Sequence, residues 1–305
     1  MPTSRKNPVT AAEQRSAVEI GDTAPAKVNL TLRVLGRRAD GYHEIESLVA
    51  FADLSDRLSF VPAGKLALAV TGPGAGQTGD DTENLVLKAA RALAARIPGI
   101  ALGGFRLEKN LPVAAGLGGG SADAAAALRL LARANNLEPS DPRLYEAARA
   151  TGADVPVCLD PRPRLMRGIG EILSEPLALP RFCALLVNPG IALATKLVFS
   201  GWKASADSVP PFDPAAMARM RTEDEVLRYL TGQANDLQAP AIALAPAIAE
   251  VLAALRALEG CRLARMSGSG ATCFALFSSA AEREAAAKAL RAKYPNWWMS
   301  ETWLG

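Results

Sequence analysis

Four glycines within five positions do most to constrain what this chain can fold into. Gly116, Gly118, Gly119 and Gly120 stand directly before Ser121, and strong helix formers continue through Leu128 and Leu131 to Ala134. Glycine lets the backbone take left-handed turns and come close to a ligand. A helix start presents amides with no intrahelical partner and a partial positive charge of roughly half a unit. Ser121 is the expected N-cap. The segment Leu111 to Ala127 therefore reads as an anion cradle suited to the phosphates of a nucleotide. The bland reading is a glycine turn that only lets an alanine-rich helix pack closely. The segment is not a Walker A loop, since no Gly-Lys-Ser/Thr closes it, and Ser121 stands where the last glycine of a dinucleotide fingerprint would fall.

The 305 residues suffice for two modest domains or one large one, and with half of them hydrophobic a sizeable core is feasible. A net charge of +3, scattered basic residues and few aromatic ones argue against a nucleic-acid surface and suit a small anionic substrate. Cys158, Cys183, Cys261 and Cys273 form no C-x-x-C pair, and His43 is the only histidine, which excludes an ordinary zinc site and points to reduced thiols in a cytoplasmic protein. Met1 to Asp22 is polar and lacks the apolar core of a signal peptide, so residues 1–20 are expected to be a disordered tail. The apolar run Ala239 to Ala249 is too short to span a membrane and holds Pro240 and Pro246.

Alternation and breakers predict strands over Ala26–Leu35, Ser47–Ala52, Asp56–Val61, Lys65–Val70, Gly104–Lys109, Phe182–Asn188 and Cys273–Phe277. A helical period predicts helices over Asn84–Arg96, Asp141–Ala150, Glu223–Tyr229, Pro246–Leu258 and Ala280–Lys293, and Trp297, Trp298 and Trp303 fall in a final strand as packing residues. Mixed strands and helices in both halves imply a two-layered α+β architecture. Prolines between 161 and 180 mark the domain boundary.

Four short segments carry chemistry. In Pro25-Ala-Lys-Val-Asn-Leu30, Lys27 and Asn29 share one face of a strand, which is either a functional face or the wet face of an edge strand. In Asp40-Gly-Tyr-His-Glu44, His43 is a base or a hydrogen-bonding reader and Tyr42 offers a stacking ring; the plain alternative is a surface turn. In Thr151-Gly-Ala-Asp-Val-Pro156, Asp154 is a catalytic carboxylate or a capping aspartate. Ser267-Gly-Ser-Gly-Ala-Thr272 is a nest of N–H donors able to meet a second phosphate.

In this order, these segments together with Asn235-Asp-Leu237 resemble the kinase superfamily that includes galactokinase, homoserine kinase and mevalonate kinase, over residues 24 to about 277. Gly-Tyr-His-Glu-Ile-Glu-Ser47 with Gly-Gly-Gly-Ser-Ala-Asp-Ala-Ala125 narrows the resemblance to the branch acting on a cytidine diphosphate adduct of methylerythritol. The resemblance implies an ATP- and Mg²⁺-dependent kinase of the non-mevalonate isoprenoid route. It implies an N-terminal, ATP-binding α/β domain (21–160) resembling domain 2 of ribosomal protein S5 and a C-terminal ferredoxin-like domain (161–305). Asp154 then looks like the catalytic aspartate and Lys27 its charged partner. Pro112, Gly116, Leu117, Gly118, Gly119, Gly120 and Ser121 look like the phosphate loop, with Asn84 and Lys109 near the adenosine. Tyr42 and Phe199 resemble cytosine-stacking rings and His43 the reader of the cytosine edge, while Asn29, Thr195, Gly268 and Ser269 look like substrate contacts. No residue is assigned to a metal. The expected partners are the two small molecules alone, with no nucleic acid or membrane, in a monomer or weak homodimer. Alternatives are a homoserine or mevalonate kinase, which has no use for a Tyr-His base reader, and a non-catalytic ATP-binding sensor, which has no need of a Lys27–Asp154 pair. Ala114 and Ala115 stand where many superfamily members have another glycine, and Gln238 where glutamate is common.

Overall fold

A computed structural model describes residues 18–62, 64–77, 84–204 and 211–305. Of the expected tail, residues 1–17 lie outside the described residues, and Ile20 already opens the first strand.

The N-terminal half is a sheet covered on one face by helices. Strands β1 (Ile20–Asn29), β2 (Arg33–Arg37), β3 (His43–Pro62), β4 (Ala67–Thr71) and β5 (Gly103–Glu108) are joined by β6 (Arg164–Gly168) and β7 (Ile172–Leu173). Helices α1 (Leu85–Ala94), α2 (Gly119–Ala134), α3 (Pro142–Thr151) and the short α4 (Val155–Cys158) pack together, with α2 against β1 and β3. The alanines of α2 make this possible: Ala124 to Ala127 are fully buried, and their small side chains let the helix lie close to the strands. The two strands predicted over Ser47–Ala52 and Asp56–Val61 are one continuous 20-residue strand. β3 pairs with β1, β2, β5, β6 and the C-terminal strand β11 (Trp298–Leu304), so no single alternation describes it. The single strand predicted over Ala26–Leu35 is two, parted at 30–32, where Leu32 bridges to Asn235. β6 pairs with β3, so the chain just past residue 160 still contributes to this sheet.

The C-terminal half contains β8 (Phe182–Asn188), α5 (Thr195–Gly201), α6 (Pro214–Arg219), α7 (Glu223–Thr231), α8 (Gln238–Leu244), α9 (Ala247–Arg256), β9 (Cys261–Met266), β10 (Cys273–Phe277), α10 (Ala280–Lys293) and β11 (Trp298–Leu304). Its strands run β11-β8-β10-β9, all antiparallel. With α9 and α10 as the crossovers this is the β-α-β-β-α-β ferredoxin-like arrangement. Leu304 pairs with Ala52, which joins the two halves into one sheet. A shared core between them includes Val28, Leu48, Leu117, Phe182 and Phe274. The fold is thus a two-domain α+β structure, and β1, the glycine loop and the β9–β10 turn meet where its halves join.

Candidate active site

The wet-edge reading of β1 does not hold, because Lys27 and Asn29 are each only 3% exposed. The Lys27 ammonium donates to Asn29 Oδ1 at 3.0 Å and lies 3.3 Å from Asp154 Oδ2. The Asn29 amide donates to Ser47 Oγ at 2.7 Å, and Ser47 in turn donates to the Thr31 carbonyl. Asn29 is therefore fixed with its oxygen toward Lys27. Asp154 occupies the N-cap position of α4 but makes no capping bond, so the capping reading fails as well. Its carboxylate, 39% exposed, keeps one side on Lys27 and the other in solvent. A buried ammonium next to an accessible carboxylate places a proton acceptor and a fixed positive charge side by side.

The glycine loop adjoins this pair. The α2 N-cap is Gly118, at φ 62°, with no side-chain cap, and the helix begins at Gly119. Ser121 thus lies in the first turn and is not the cap: the left-handed turn at Gly118 starts the helix early. That leaves the amides of Gly119, Gly120 and Ser121 without intrahelical acceptors. A side chain on Gly118 would also be tight, since a Cβ there would lie 3.1 Å from Lys27 Cε and would press that side chain aside. Gly116, at φ 77°, is still more constrained: a Cβ would come within 2.6 Å of the Ser267 carbonyl. The Thr272 N–H donates to the Ala115 carbonyl, and Ser267 Oγ links the Gly116 carbonyl (2.9 Å) to the Asn29 N–H (3.1 Å). The two glycine-rich turns form one unit. In the second, the N–H groups of Ser267, Gly270 and Thr272 are spent on backbone carbonyls. Asn235 fixes that turn by donating to the carbonyls of Met266 and Gly268, both at 2.8 Å.

A second group of residues is aromatic. The His43 ring lies 5.0 Å from that of Phe199 and 6.0 Å, edge-on, from that of Trp202. Phe199 is in α5 and Trp202 caps that helix at its C-terminus. Tyr42, next in sequence to His43, is 58% exposed and makes no ring contact with them. Burial, and then the charge of Arg37 opposite it in the strand pairing, hold the His43 pKa below its usual value. Thr195 and Ser269 hydroxyls meet at 3.0 Å, tying α5 to the β9–β10 turn.

Asn84 and Lys109 have other work. Asn84 caps α1, accepting from the Val86 N–H at 3.0 Å. The Lys109 ammonium is bonded to Asp56 Oδ2 at 2.5 Å and to Asp123 Oδ2 at 2.6 Å. Asp56 Oδ1 takes the N–H groups of Asn110 (2.6 Å) and Leu111 (2.8 Å), directly before Pro112, at the entry to the glycine loop.

Residues 84–160 match the family described as GHMP kinases N terminal domain, and residues 215–296 match GHMP kinases C terminal. A 4-diphosphocytidyl-2-C-methyl-D-erythritol kinase from Rhodopseudomonas palustris is 56% identical over 93% of this chain and 97% of its own length. The chain belongs to the 4-diphosphocytidyl-2-C-methyl-D-erythritol kinase family. A crystal structure of a kinase for the same compound superposes with a TM-score of 0.75 at 37% identity, covering 94% of this chain and 99% of that one. A homoserine kinase from Cytophaga hutchinsonii shares the fold with a TM-score of 0.66 at 19% identity, covering 95% and 97%.

Within this kinase family frame, Lys27, Asn29, Asp154, the glycine loop and the Gly268–Ser269 turn are brought together, His43 and Phe199 meet with Trp202 in the aromatic group, and Tyr42 is exposed with no ring contact to them. Sequence reading missed Asp56, Asp123, Ser47 and Trp202. One signal was available for Asp123: it is an acid within a helix of alanines, on a turn whose neighbours are all buried.

Proposed function

We propose that this chain transfers the γ-phosphoryl group of ATP directly, in line, to a hydroxyl of 4-diphosphocytidyl-2-C-methyl-D-erythritol, giving the 2-phosphate, in the non-mevalonate isoprenoid route. The observation that carries the chemistry is the Lys27–Asp154 pair at 3.3 Å beside the free amides of the α2 start. The amides of Gly119, Gly120 and Ser121, together with the dipole of α2, bind the β- and γ-phosphates. Asp154 accepts the proton of the attacking hydroxyl, and Lys27 offsets charge on the moving phosphoryl group. Positioning dominates, because a loose transition state asks little base strength.

Tyr42 and Phe199 stack on the cytosine and His43 hydrogen-bonds its edge. Asn29, Thr195, Gly268 and Ser269 meet the rest of that substrate, Asn84 is on the adenosine side, and Lys109 supports the nucleotide site from beneath the start of α2. Mg²⁺ shares the triphosphate charge. Among the described residues no group of three or more His, Cys, Asp or Glu side chains is set to hold a metal, and no residue is assigned to the ion. No helix among the described residues is long and apolar enough to cross a membrane, and we place the enzyme in the cytoplasm as a monomer or weak homodimer.

The test is ADP release by purified protein with ATP and Mg²⁺, offered the cytidine-linked alcohol, homoserine or mevalonate in turn. Turnover with the first alone supports the reading. Turnover with homoserine or mevalonate, or none with any of the three, rejects it.

A further inference from the structure

The Asp56–Lys109–Asp123 cluster has a charge that its surroundings do not balance. Asp56 is fully buried, and Lys109 and Asp123 are each 3% exposed. With both carboxylates ionised the three groups sum to minus one. Asp56 is fully satisfied, since one oxygen takes Lys109 and the other takes two backbone amides. Asp123 is not: Oδ2 takes Lys109, but Oδ1 is buried with no donor. A buried carboxylate oxygen without a donor is costly, and binding a proton relieves that cost.

The cluster lies directly under the phosphate cradle. A Cβ on Gly119, the first residue of α2, would lie 3.1 Å from Lys109 Nζ. Asp123 itself is in the second turn of that helix. Asp56 holds the amides that lead into the loop, and Lys109 joins Asp56 to α2, so the three residues tie the loop's entry to its exit. The elements packed on α2 bring few other charges. Lys27 of β1 is engaged by Asn29 and Asp154, Lys88 of α1 donates to the Thr151 carbonyl, and α4 contributes the buried Cys158 thiol. Arg129, further along α2, is spent on Asp22 and on the carbonyls of Thr23 and Cys158. None of them donates to Asp123 Oδ1.

We propose that Asp123 is a positioning residue of the nucleotide site, and that it takes up a proton when a triphosphate binds over the α2 start. The inference rests on the ATP-binding reading above. A triphosphate brings several negative charges next to a cluster that already carries an excess one. Protonating Asp123 removes the excess and supplies a hydrogen for its unpartnered oxygen. Burial, opposed by Lys109 and assisted by Asp56, pushes the Asp123 pKa up to about 7, so the carboxyl is poised to change state near neutrality. By linkage, the nucleotide binds more tightly as pH falls through that range.

The experiment is calorimetric titration with the methylene-bridged ATP mimic and Mg²⁺, run from pH 6.5 to 8 in buffers of different ionisation enthalpy. The wild type and Asp123→Asn are compared, so that the nucleotide's own titration cancels. The expected excess uptake in the wild type is about half a proton near pH 7, equivalent to an affinity loss of about threefold per pH unit that the variant lacks. Equal uptake by the two proteins overturns the proposal while leaving ATP binding intact. Absence of any binding by the wild type removes the ATP-site reading and this inference with it. If Asp123→Asn does not fold, the Asp123 carboxyl carbon shift followed by NMR in the wild type decides the matter. Its titration midpoint is expected to rise when the mimic is added, and a midpoint that stays put overturns the proposal.

Discussion

The two ends of the site are built on different principles. At the proposed phosphate end, polar groups are buried and over-determined: Lys27, Asn29, Ser47, Ser267 and the Gly116 carbonyl form one connected network, a side chain on Gly116 has no room, and one on Gly118 would press on Lys27. At the end proposed to read the base, Tyr42 is exposed and His43 is held by ring contacts with Phe199 and Trp202. The first arrangement suits chemistry that tolerates little misplacement. The second suits recognition, where a flat ring needs a surface to stack on and an edge to pair with. Damage to the first should therefore appear in turnover or folding, and damage to the second in the Michaelis constant.

The largest expected effect is that of Asp154→Asn, which should lower kcat by on the order of 10²–10⁴ and leave binding of an ATP mimic intact. Wild-type-like turnover would remove Asp154 from its proposed role. Next is Gly116→Ala, which adds a left-handed alanine and a clash with the Ser267 carbonyl. It is expected to cost ~3 kcal/mol of stability, visible as a lower thermal midpoint. An undisturbed midpoint would show that the two glycine turns are not locked together.

His43→Ala should raise the Michaelis constant for the cytidine-linked substrate roughly tenfold to a hundredfold, with a far smaller change in kcat. An equal loss in kcat would erase the contrast between the two ends. The same histidine sets a pH dependence. Because burial and Arg37 lower its pKa, it stays neutral at pH 7 and slightly below. The Michaelis constant should be flat down to the ordinary histidine range and rise beneath it. Arg37→Gln removes one of the lowering influences, so the rise should begin at a higher pH. The smallest effect concerns Ala114, held at φ 51°. Ala114→Gly relieves that backbone, at some cost in unfolded-state entropy, for a net gain of up to about 1 kcal/mol in chemical denaturation.

Legibility in the sequence followed the range of the interactions. The glycine loop, α1, α10 and β10 were readable because their signals are local: caps, periodicity and breakers. β3 was not, since a 20-residue strand with five partner strands carries no single alternation. The cap was displaced from Ser121 to Gly118 because a glycine can take the left-handed turn that starts the helix early, with no side chain to occupy the first amides. Lys27 and Asp154 were legible as residue types, but their pairing spans 127 positions and only the fold brings them together. Asp56 looked like the opening residue of a strand; its function depends on Lys109 and Asp123, which are distant in sequence. Trp202 follows a helix too short to leave a period.

Where a triphosphate sits decides the roles proposed for Lys27, Asp154 and the glycine loop. A crystal structure with an ATP mimic tests this directly. The expected result is the β- and γ-phosphates against the amides of Gly119, Gly120 and Ser121, with the terminal phosphate facing Lys27 and Asp154. A mimic bound away from the α2 start, with Asp154 facing only solvent, would contradict it.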